Sequence, residues 1–223
     1  MEKLGSPTFK GAEAFLYRST VKGLKVLVKY RLEKAYRLRE LDKQLRRSRT
    51  INEARNTLIA LEAGVNCPAI ILVDPETYTI IVEEVEGRLL RDVIEDEGAS
   101  TLVKSVVFKV GCMTAKLHSV GIAHGDLTTS NIIVTPKGEP YIIDFGLSHR
   151  TRDEEDYAID IHLFLRSLES THPEYVEILF TSFIKGYESI SGRDRVEKLL
   201  KIVERIRLMG RYIEARRRSV WSH

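Results

Sequence analysis

The sequence predicts an α+β fold with two lobes, a small sheet-rich lobe over residues 1–86 and a shortened helical lobe over residues 87–223. Three observations favour it. Apolar, β-prone runs separated by turn residues fill the first lobe, with one helical pattern among them. Beyond Gly87, apolar residues recur mostly at helical spacing. The 223 residues, 43% of them hydrophobic, suffice for one domain of two small lobes and exclude a disordered or collagen-like chain.

The first lobe is expected to hold four strands and one helix. Four apolar, β-prone runs predict the strands, at residues 14–19, 24–30, 70–73 and 79–83. Lys22 and Gly23 form the turn of the first pair, and Asp74 begins the turn of the second. A basic helix lies between the two pairs, with apolar residues at helical spacing: Leu41, Leu45, Ala54, Leu58 and Leu61. Gly64 ends that pattern where a helix C-cap is expected.

The second lobe is expected to be helical apart from one short hairpin. Ser100 is a candidate N-cap for a long helix that ends near Gly121. Residues 131–134 and 141–143 predict two short strands around a tight turn. Helical patterns resume after Asp153 and continue towards the C-terminus.

Composition narrows the class of protein. The longest apolar runs, near residues 24–28 and 70–73, fall far short of the roughly 20 residues that cross a bilayer. Residues 1–10 lack the apolar segment of a secretory signal, so we expect a cytoplasmic protein. The two cysteines, Cys67 and Cys112, cannot build a disulfide framework or a structural zinc site, and both are expected to be buried thiols.

The basic residues are unevenly placed. The net charge is only +3, yet residues 29–49 and 205–218 are strongly basic. Such clusters indicate a polyanionic partner. On charge alone, the run Arg216–Arg218 is expected to be a disordered tail.

An ordered pair of motifs in the second lobe carries the chemistry. Residues 124–131 read His-Gly-Asp-Leu-Thr-Thr-Ser-Asn, and Asp144-Phe145-Gly146 follows downstream. Asp126, in a loop before a short strand, can accept the proton of an attacking hydroxyl. Asn131 and Asp144 offer oxygen atoms that can ligate Mg²⁺. Asp-Phe-Gly alone is a common turn, but the ordered pair is specific for phosphoryl transfer.

Two charges in the first lobe complete this pattern. Lys29 lies at the end of the second predicted strand, and Glu53 lies in the helix that follows. Their order fits a lysine that holds the α and β phosphates of ATP and a glutamate that holds the lysine. Among so many basic neighbours, Lys29 alone would be read as a solvated surface charge. The downstream motif favours the site interpretation.

These residues together resemble the protein kinase superfamily. In detail they are similar to its RIO-related atypical branch and, more narrowly, to the PRPK family, which supplies the small kinase subunit of the KEOPS complex. The matching segments run nearly end to end: residues 10–14 (KGAEA), 50–55 (TINEAR), 124–131 (HGDLTTSN), 170–173 (STHP) and 216–219 (RRRS).

The resemblance implies a bilobal protein-kinase-like fold and an atypical Mg²⁺-dependent serine/threonine kinase or ATPase, with ATP between the lobes. It implies that Asp126 is the catalytic base and that Asn131 and Asp144 are the Mg²⁺ ligands. The hinge would be residues 81–87, with Val82 beside the adenine and with the Glu83 carbonyl and the Val85 N–H reading the adenine edge. The implied ATP-binding residues are Gly11, Glu13, Lys29, Glu53, Val82, Glu83 and Val85.

The resemblance also implies partners. The KEOPS complex forms threonylcarbamoyladenosine in tRNA, so a transferase subunit would bind the helical lobe and a small subunit the sheet-rich lobe. The tRNA itself would be a further partner within the complex. The side chains of Arg216, Arg217 and Arg218 would contact a partner or tRNA.

Several departures from ordinary protein kinases carry information. The glycine-rich loop is reduced to Gly11 before Ala12 and Glu13, so ATP should be held more openly. Gly125 stands where regulated kinases carry Arg, and no Ala-Pro-Glu follows Asp144, so phosphorylation of an activation loop is not the expected switch. Thr128 replaces a lysine that contacts the transferred phosphate. We therefore expect slow transfer, or ATP hydrolysis.

Two alternatives stay open. A small-molecule phosphotransferase of the aminoglycoside or choline kinase type also uses His-Gly-Asp and a downstream Asn, but it needs an acceptor pocket for which the stretch after Asp144 leaves little room. A non-catalytic nucleotide-binding scaffold would need Lys29 but not Asp126. His124 would brace the loop of residues 124–131, the catalytic loop that the resemblance implies, and Asp160 would either anchor that loop or face solvent.

Overall fold

A five-stranded antiparallel sheet and one long helix form the first lobe of the computed structural model, which describes residues 7–11 and 14–220, without the side chains of Lys10 and residues 210–220. The strands lie in the order β1-β2-β3-β5-β4. The helix α1 (Arg39–Glu62) connects β3 to β4. All four predicted strands are confirmed, and β1 is an addition: β1 (Phe9–Lys10), β2 (Ala14–Val21), β3 (Leu24–Arg31), β4 (Ile70–Asp74) and β5 (Thr79–Glu83).

The buried face of α1 is mostly polar, contrary to the apolar stripe read from the sequence. Leu41 and Leu58 are each 48% exposed. The helix ends as predicted, since Gly64 follows it with a left-handed φ of 74°. Its buried side chains are Asp42, Arg46, Thr50, Glu53, Ala54, Asn56, Thr57 and Ala60.

Over residues 87–220, the second lobe contains five α-helices and two small sheets. Its helices are α2 (Leu90–Glu97), α3 (Thr101–Ser119), α4 (Glu154–Thr171), α5 (Val176–Ser191) and α6 (Arg193–Val220). Its short strands are β6 (Arg88–Leu89), β7 (Ile122–Ala123), β8 (Ile132–Val134), β9 (Pro140–Ile142) and β10 (His149–Arg150), paired as β6-β8-β9 and β7-β10. Ser100 caps α3 as predicted, because its side-chain oxygen accepts a hydrogen bond from the Val103 N–H at 3.2 Å.

Each strand of the predicted hairpin after residues 124–131 differs from the prediction by one residue. Asn131 closes a 3₁₀ turn, Thr129–Asn131, with its N–H bonded to the Thr128 carbonyl at 3.0 Å, so β8 begins at Ile132. The second strand begins earlier, at Pro140, because β9 is an edge strand whose first position tolerates a missing N–H.

Two further expectations differ from the structure. The backbone at Arg216–Arg218 continues α6 rather than forming a disordered tail, in keeping with the high helix propensity of arginine. Cys67 is buried, and burial raises the pKa of its thiol to about 12, but Cys112 is only partly buried. Both are free thiols. In the part of the chain that the structure describes, no helix has the length and apolar character needed to cross a membrane.

The core of the second lobe depends on a close crossing of α3 and α5. Gly111 on α3 and Gly186 on α5 lie at this crossing. A Cβ atom at Gly186 would overlap the carbonyl group of Phe108, and one at Gly111 would overlap that of Phe183. The two backbones can approach this closely only because neither glycine carries a side chain.

We expect Gly186→Ala to lower the free energy of unfolding by about 3 kcal/mol, the upper part of the range for an overpacked core. The added methyl group must push the two helices apart because backbone, not a flexible side chain, blocks it. Urea denaturation measures this change in the free energy of unfolding. Lys185→Ala, at an exposed neighbour on the same helix, is the control and should change stability by less than about 0.5 kcal/mol. Equal stability of the two variants would contradict the close crossing.

Candidate active site

A cleft of about 580 Å³ is lined by strands of the first lobe and loops of the second. Most of the predicted site residues line its walls: Gly11, Lys29, Glu53, Val82, Glu83, Val85, Asp126, Asn131 and Asp144. Glu13 and the side chains of Arg216, Arg217 and Arg218 lie outside the described residues, so their contacts stay predictions. Residues as far apart in the sequence as Gly11 and Asp144 thus converge on one space.

Lys29 joins the two lobes across this cleft. It lies in the middle of the sheet, paired with Leu16 of β2 and Ile80 of β5. Its ammonium Nζ donates to Glu53 Oε1 at 2.8 Å and to Asp144 Oδ1 at 2.6 Å. Burial alone would lower the pKa of Lys29, but the charges of Glu53 and Asp144 outweigh it and raise the pKa. Lys29 is therefore a permanent cation at this point.

Arg31 is a site residue that the sequence analysis missed. It donates from Nη2 to Glu53 Oε2, so both carboxylate oxygens of Glu53 are paired with cations. Its side chain is only 4% exposed and lines the cleft beside Lys29. Successive strand residues point to opposite faces, so the spacing of two between Lys29 and Arg31 could have shown that both face the cleft.

Asp126 and Asn131 are held together at the end of the catalytic loop. The Asn131 side-chain Nδ2 donates to the main-chain oxygen and to Oδ2 of Asp126, both at 2.8 Å. The 3₁₀ turn places Asn131 just before β8, as the motif requires. This bonding keeps one Asp126 carboxylate oxygen in place. It uses the amide nitrogen of Asn131 as a donor, so the amide oxygen is the atom of this side chain that can ligate a metal ion.

Asp160 anchors the catalytic loop from within the core. The sequence left it open between an anchor and a solvent-facing acid, and the structure buries it fully. It accepts hydrogen bonds from the N–H groups of His124 and Gly125 at 2.6 and 2.8 Å, and His118 Nε2 lies 3.1 Å from Oδ2. Burial would raise the pKa of Asp160, but the hydrogen bond and charge of His118 and the His124 N–H hold it below its usual range.

Gly125 has a structural reason for lacking a side chain. Its φ is 78°, in the left-handed region, and a Cβ atom there would come within 2.6 Å of the Leu147 carbonyl oxygen. An arginine at this position would therefore require the segment after Asp144 to move. His124 contacts the residues on both sides of Asp144, with Nε2 3.1 Å from the Ile143 carbonyl oxygen and its ring edge-on to Phe145.

Asp144 is held in a strained but supported conformation. Its φ is 62°, and Oδ1 accepts from the Gly146 N–H at 3.1 Å as well as from Lys29. Partial burial would raise the pKa of Asp144, but the charge and hydrogen bond of Lys29 outweigh it and lower the pKa. The carboxylate is therefore ionised at neutral pH.

The donor atoms of the cleft fit Mg²⁺. Asp144 and Asn131 offer a carboxylate and an amide oxygen in one cleft. Mg²⁺ prefers oxygen ligands and is commonly bound by one or two carboxylates, substrate phosphates and water. Within residues 7–11 and 14–220, no group of three or more His, Cys, Asp or Glu side chains is placed to hold a metal ion.

The hinge presents main-chain groups to the other end of the cleft. Val82, Glu83 and Val85 all line it. The N–H groups of Glu83 and Glu84 are used within the lobe, bonded to the carbonyls of Ala69 and Lys25. No partner of the Val85 N–H is found among the described residues, which suits a donor for the edge of an aromatic base.

Comparison with known proteins agrees with this geometry. The family model described as "Protein kinase domain" matches residues 25–177. The "KEOPS complex subunit Bud32" of Pyrococcus abyssi is 41% identical over 92% of this chain and 95% of its own length. The "Probable serine/threonine-protein kinase BUD32 homolog" of Archaeoglobus fulgidus is 38% identical over 85% of this chain and 89% of its own.

A third relative is much longer. The "Probable bifunctional tRNA threonylcarbamoyladenosine biosynthesis protein" of Methanocaldococcus jannaschii is 36% identical over 92% of this chain, which spans only 36% of that protein. The match to the kinase domain covers most of the chain, and the match to the Pyrococcus protein covers nearly all of both. The chain therefore belongs to the protein kinase family, in the branch of the Bud32 proteins.

Proposed function

We propose that the cleft binds ATP with Mg²⁺ and transfers or releases its terminal phosphate. The observation that carries this proposal is the bonding of Lys29 to Glu53 in the first lobe and to Asp144 in the second, in the cleft that Asp126 also lines. A cation joined to both lobes at this point suits the phosphates of a nucleotide, and its raised pKa keeps it charged.

Each residue then has a role. Lys29 contacts the α and β phosphates, Glu53 holds Lys29, and Asn131 and Asp144 hold the metal ion. Bound Mg²⁺ would neutralise charge on the phosphate oxygens. Asp126 accepts the proton of a protein hydroxyl or of water as that oxygen bonds to the terminal phosphorus and ADP leaves. Val82 contacts the adenine, and the Glu83 carbonyl and Val85 N–H meet its edge. Gly11 and Glu13 belong to the reduced glycine loop expected near the phosphates, which leaves ATP held more openly.

We further propose that this activity serves a KEOPS complex in the cytoplasm and supports threonylcarbamoyladenosine formation in tRNA. The names of the Pyrococcus and Methanocaldococcus relatives support this role. A transferase subunit would bind the second lobe, a small subunit the first, and the basic end of α6 at Arg216–Arg218 would contact a partner or tRNA. Polyanion binding through these arginines would weaken as salt concentration rises.

Release of labelled phosphate from ATP tests the proposed chemistry. We expect the full chain to release phosphate, or to transfer it to a protein hydroxyl, with Mg²⁺ and to lose this activity when a chelator removes the metal ion. A panel of small alcohols is the control for acceptor type. Turnover that depends on one of these alcohols would indicate a small-molecule phosphotransferase, and nucleotide binding without turnover, alone or with the KEOPS partners, would indicate a scaffold.

A further inference from the structure

Glu53 is held by two cations rather than one. Its Oε1 accepts from Lys29, and its Oε2 accepts from Arg31. The side chain of Arg31 is 4% exposed, against 13% for Lys29, so Arg31 is the more deeply buried of the two cations. A buried charge that loses its partner is strongly destabilised. Among the described residues, Glu53 is the one carboxylate bonded to Arg31. Moving Glu53 away would therefore leave the Arg31 charge buried without a partner, which is energetically unfavourable.

Arg31 is itself fixed by groups outside α1. It ends β3, where it pairs with Ala14 of β2, and its main-chain N–H donates to the Tyr78 carbonyl at 3.1 Å. Its Nη2 lies 3.4 Å from the place where a Cβ atom of Gly146 would be, so the guanidinium packs against the turn that follows Asp144. Arg31 is therefore held by the sheet and by this turn, independently of its bond to Glu53.

The same face of α1 is also tied to the second lobe. Asn56, three residues beyond Glu53, is buried and donates from Nδ2 to Ser148 Oγ at 2.9 Å. Ser148 Oγ donates in turn to the Phe145 carbonyl at 2.6 Å. The helix is thus bonded to the sheet through Arg31 and to the segment after Asp144 through Ser148.

We propose that Arg31 is a positioning residue that holds Glu53 in the cleft, so that the Lys29–Glu53 pair forms without phosphorylation of any loop. The inference rests on the proposed function, because it concerns how that site grips its nucleotide. In protein kinases, activation-loop phosphorylation and the placement of the helix control whether this pair forms. Here the second carboxylate oxygen of Glu53 is bonded to Arg31 of the same fold. The Lys29–Glu53 pair that holds the nucleotide is therefore formed before any modification.

Nucleotide affinity of the unphosphorylated full chain tests this role. We expect Arg31→Met to weaken binding of a fluorescent ATP analogue with Mg²⁺ by about tenfold, as for one lost bond between charged groups. KM for ATP should rise by a similar factor while kcat changes much less, and Arg31→Lys should restore part of the affinity. The matched control is Arg47→Met, which removes an exposed arginine of α1 paired with Glu76 and should leave the affinity unchanged.

A double-mutant cycle separates positioning from general destabilisation. If Arg31 acts through Glu53, Arg31→Met should have little further effect on affinity in a Glu53→Gln background. An equal loss of affinity in both backgrounds, or an unchanged affinity in Arg31→Met, would overturn the proposal. If Arg31→Met does not fold, the same cycle with Arg31→Lys shows whether Arg31 acts through Glu53. This test does not depend on turnover, because nucleotide binding is measured directly. If the wild-type chain binds ATP without turnover, the proposed chemistry is refuted, but the effect of Arg31 on nucleotide affinity can still be measured.

Discussion

Replacing Asp126 by Asn should lower the rate of phosphate transfer or release by about 100- to 10,000-fold, the usual contribution of a general base. The amide keeps the shape of the side chain and one oxygen to accept the bond from Asn131 Nδ2, which in the wild type reaches Oδ2 at 2.8 Å. It cannot accept the proton of the attacking hydroxyl. We therefore expect nucleotide affinity and the unfolding midpoint to stay close to those of the wild type.

Single-turnover release of labelled phosphate, measured beside thermal unfolding, checks this prediction. Asp96→Asn is the matched control, since that exposed carboxylate pairs with Arg88 on the surface of the second lobe. It should retain full activity. Equal rates for the Asp126 variant and the wild type would remove Asp126 from the chemistry, whereas a lost unfolding transition would show that its role is structural.

The residues of the cleft could be predicted because their chemistry is tied to short, ordered motifs. Asp126, Asn131 and Asp144 stand at spacings typical of phosphoryl-transfer motifs, and all three line the cleft. Hydrophobic periodicity placed the strand and the helix that carry Lys29 and Glu53. The elements around them were therefore correct to within a few residues. The shift at Asn131 arose because a 3₁₀ turn and a short strand have no separate signal in hydrophobicity.

The polar packing between the elements could not be predicted in the same way. Periodicity assigns apolar residues to the interior, yet α1 buries Asp42, Arg46 and Asn56 while Leu41 and Leu58 are exposed. A buried polar side chain is satisfied by partners distant in sequence, and no local pattern indicates them. Arg31 was missed because its role depends on Glu53. The role of Asp160 stayed open because it depends on the loop at His124.

Replacing Asp160 by Ala should lower the free energy of unfolding by about 3–5 kcal/mol, the cost of breaking a buried charged network. The N–H groups of His124 and Gly125 and the ring of His118 would lose their shared acceptor in a place without solvent. Because these bonds support the loop that carries Asp126, phosphate release should fall as well. Asp160→Asn keeps one acceptor oxygen and should lie between Asp160→Ala and the wild type in both measurements.

Chemical denaturation together with ATP turnover tests this prediction. The control on the same helix is Asp156→Ala, whose carboxylate lies 3.4 Å from His149 Nε2 in a partly exposed pair. Such a pair contributes about 1 kcal/mol or less, so this variant should remain stable and active. If Asp160→Ala were no less stable than Asp156→Ala, the catalytic loop would need another support, and the three hydrogen bonds to Asp160 would contribute little to holding it in place.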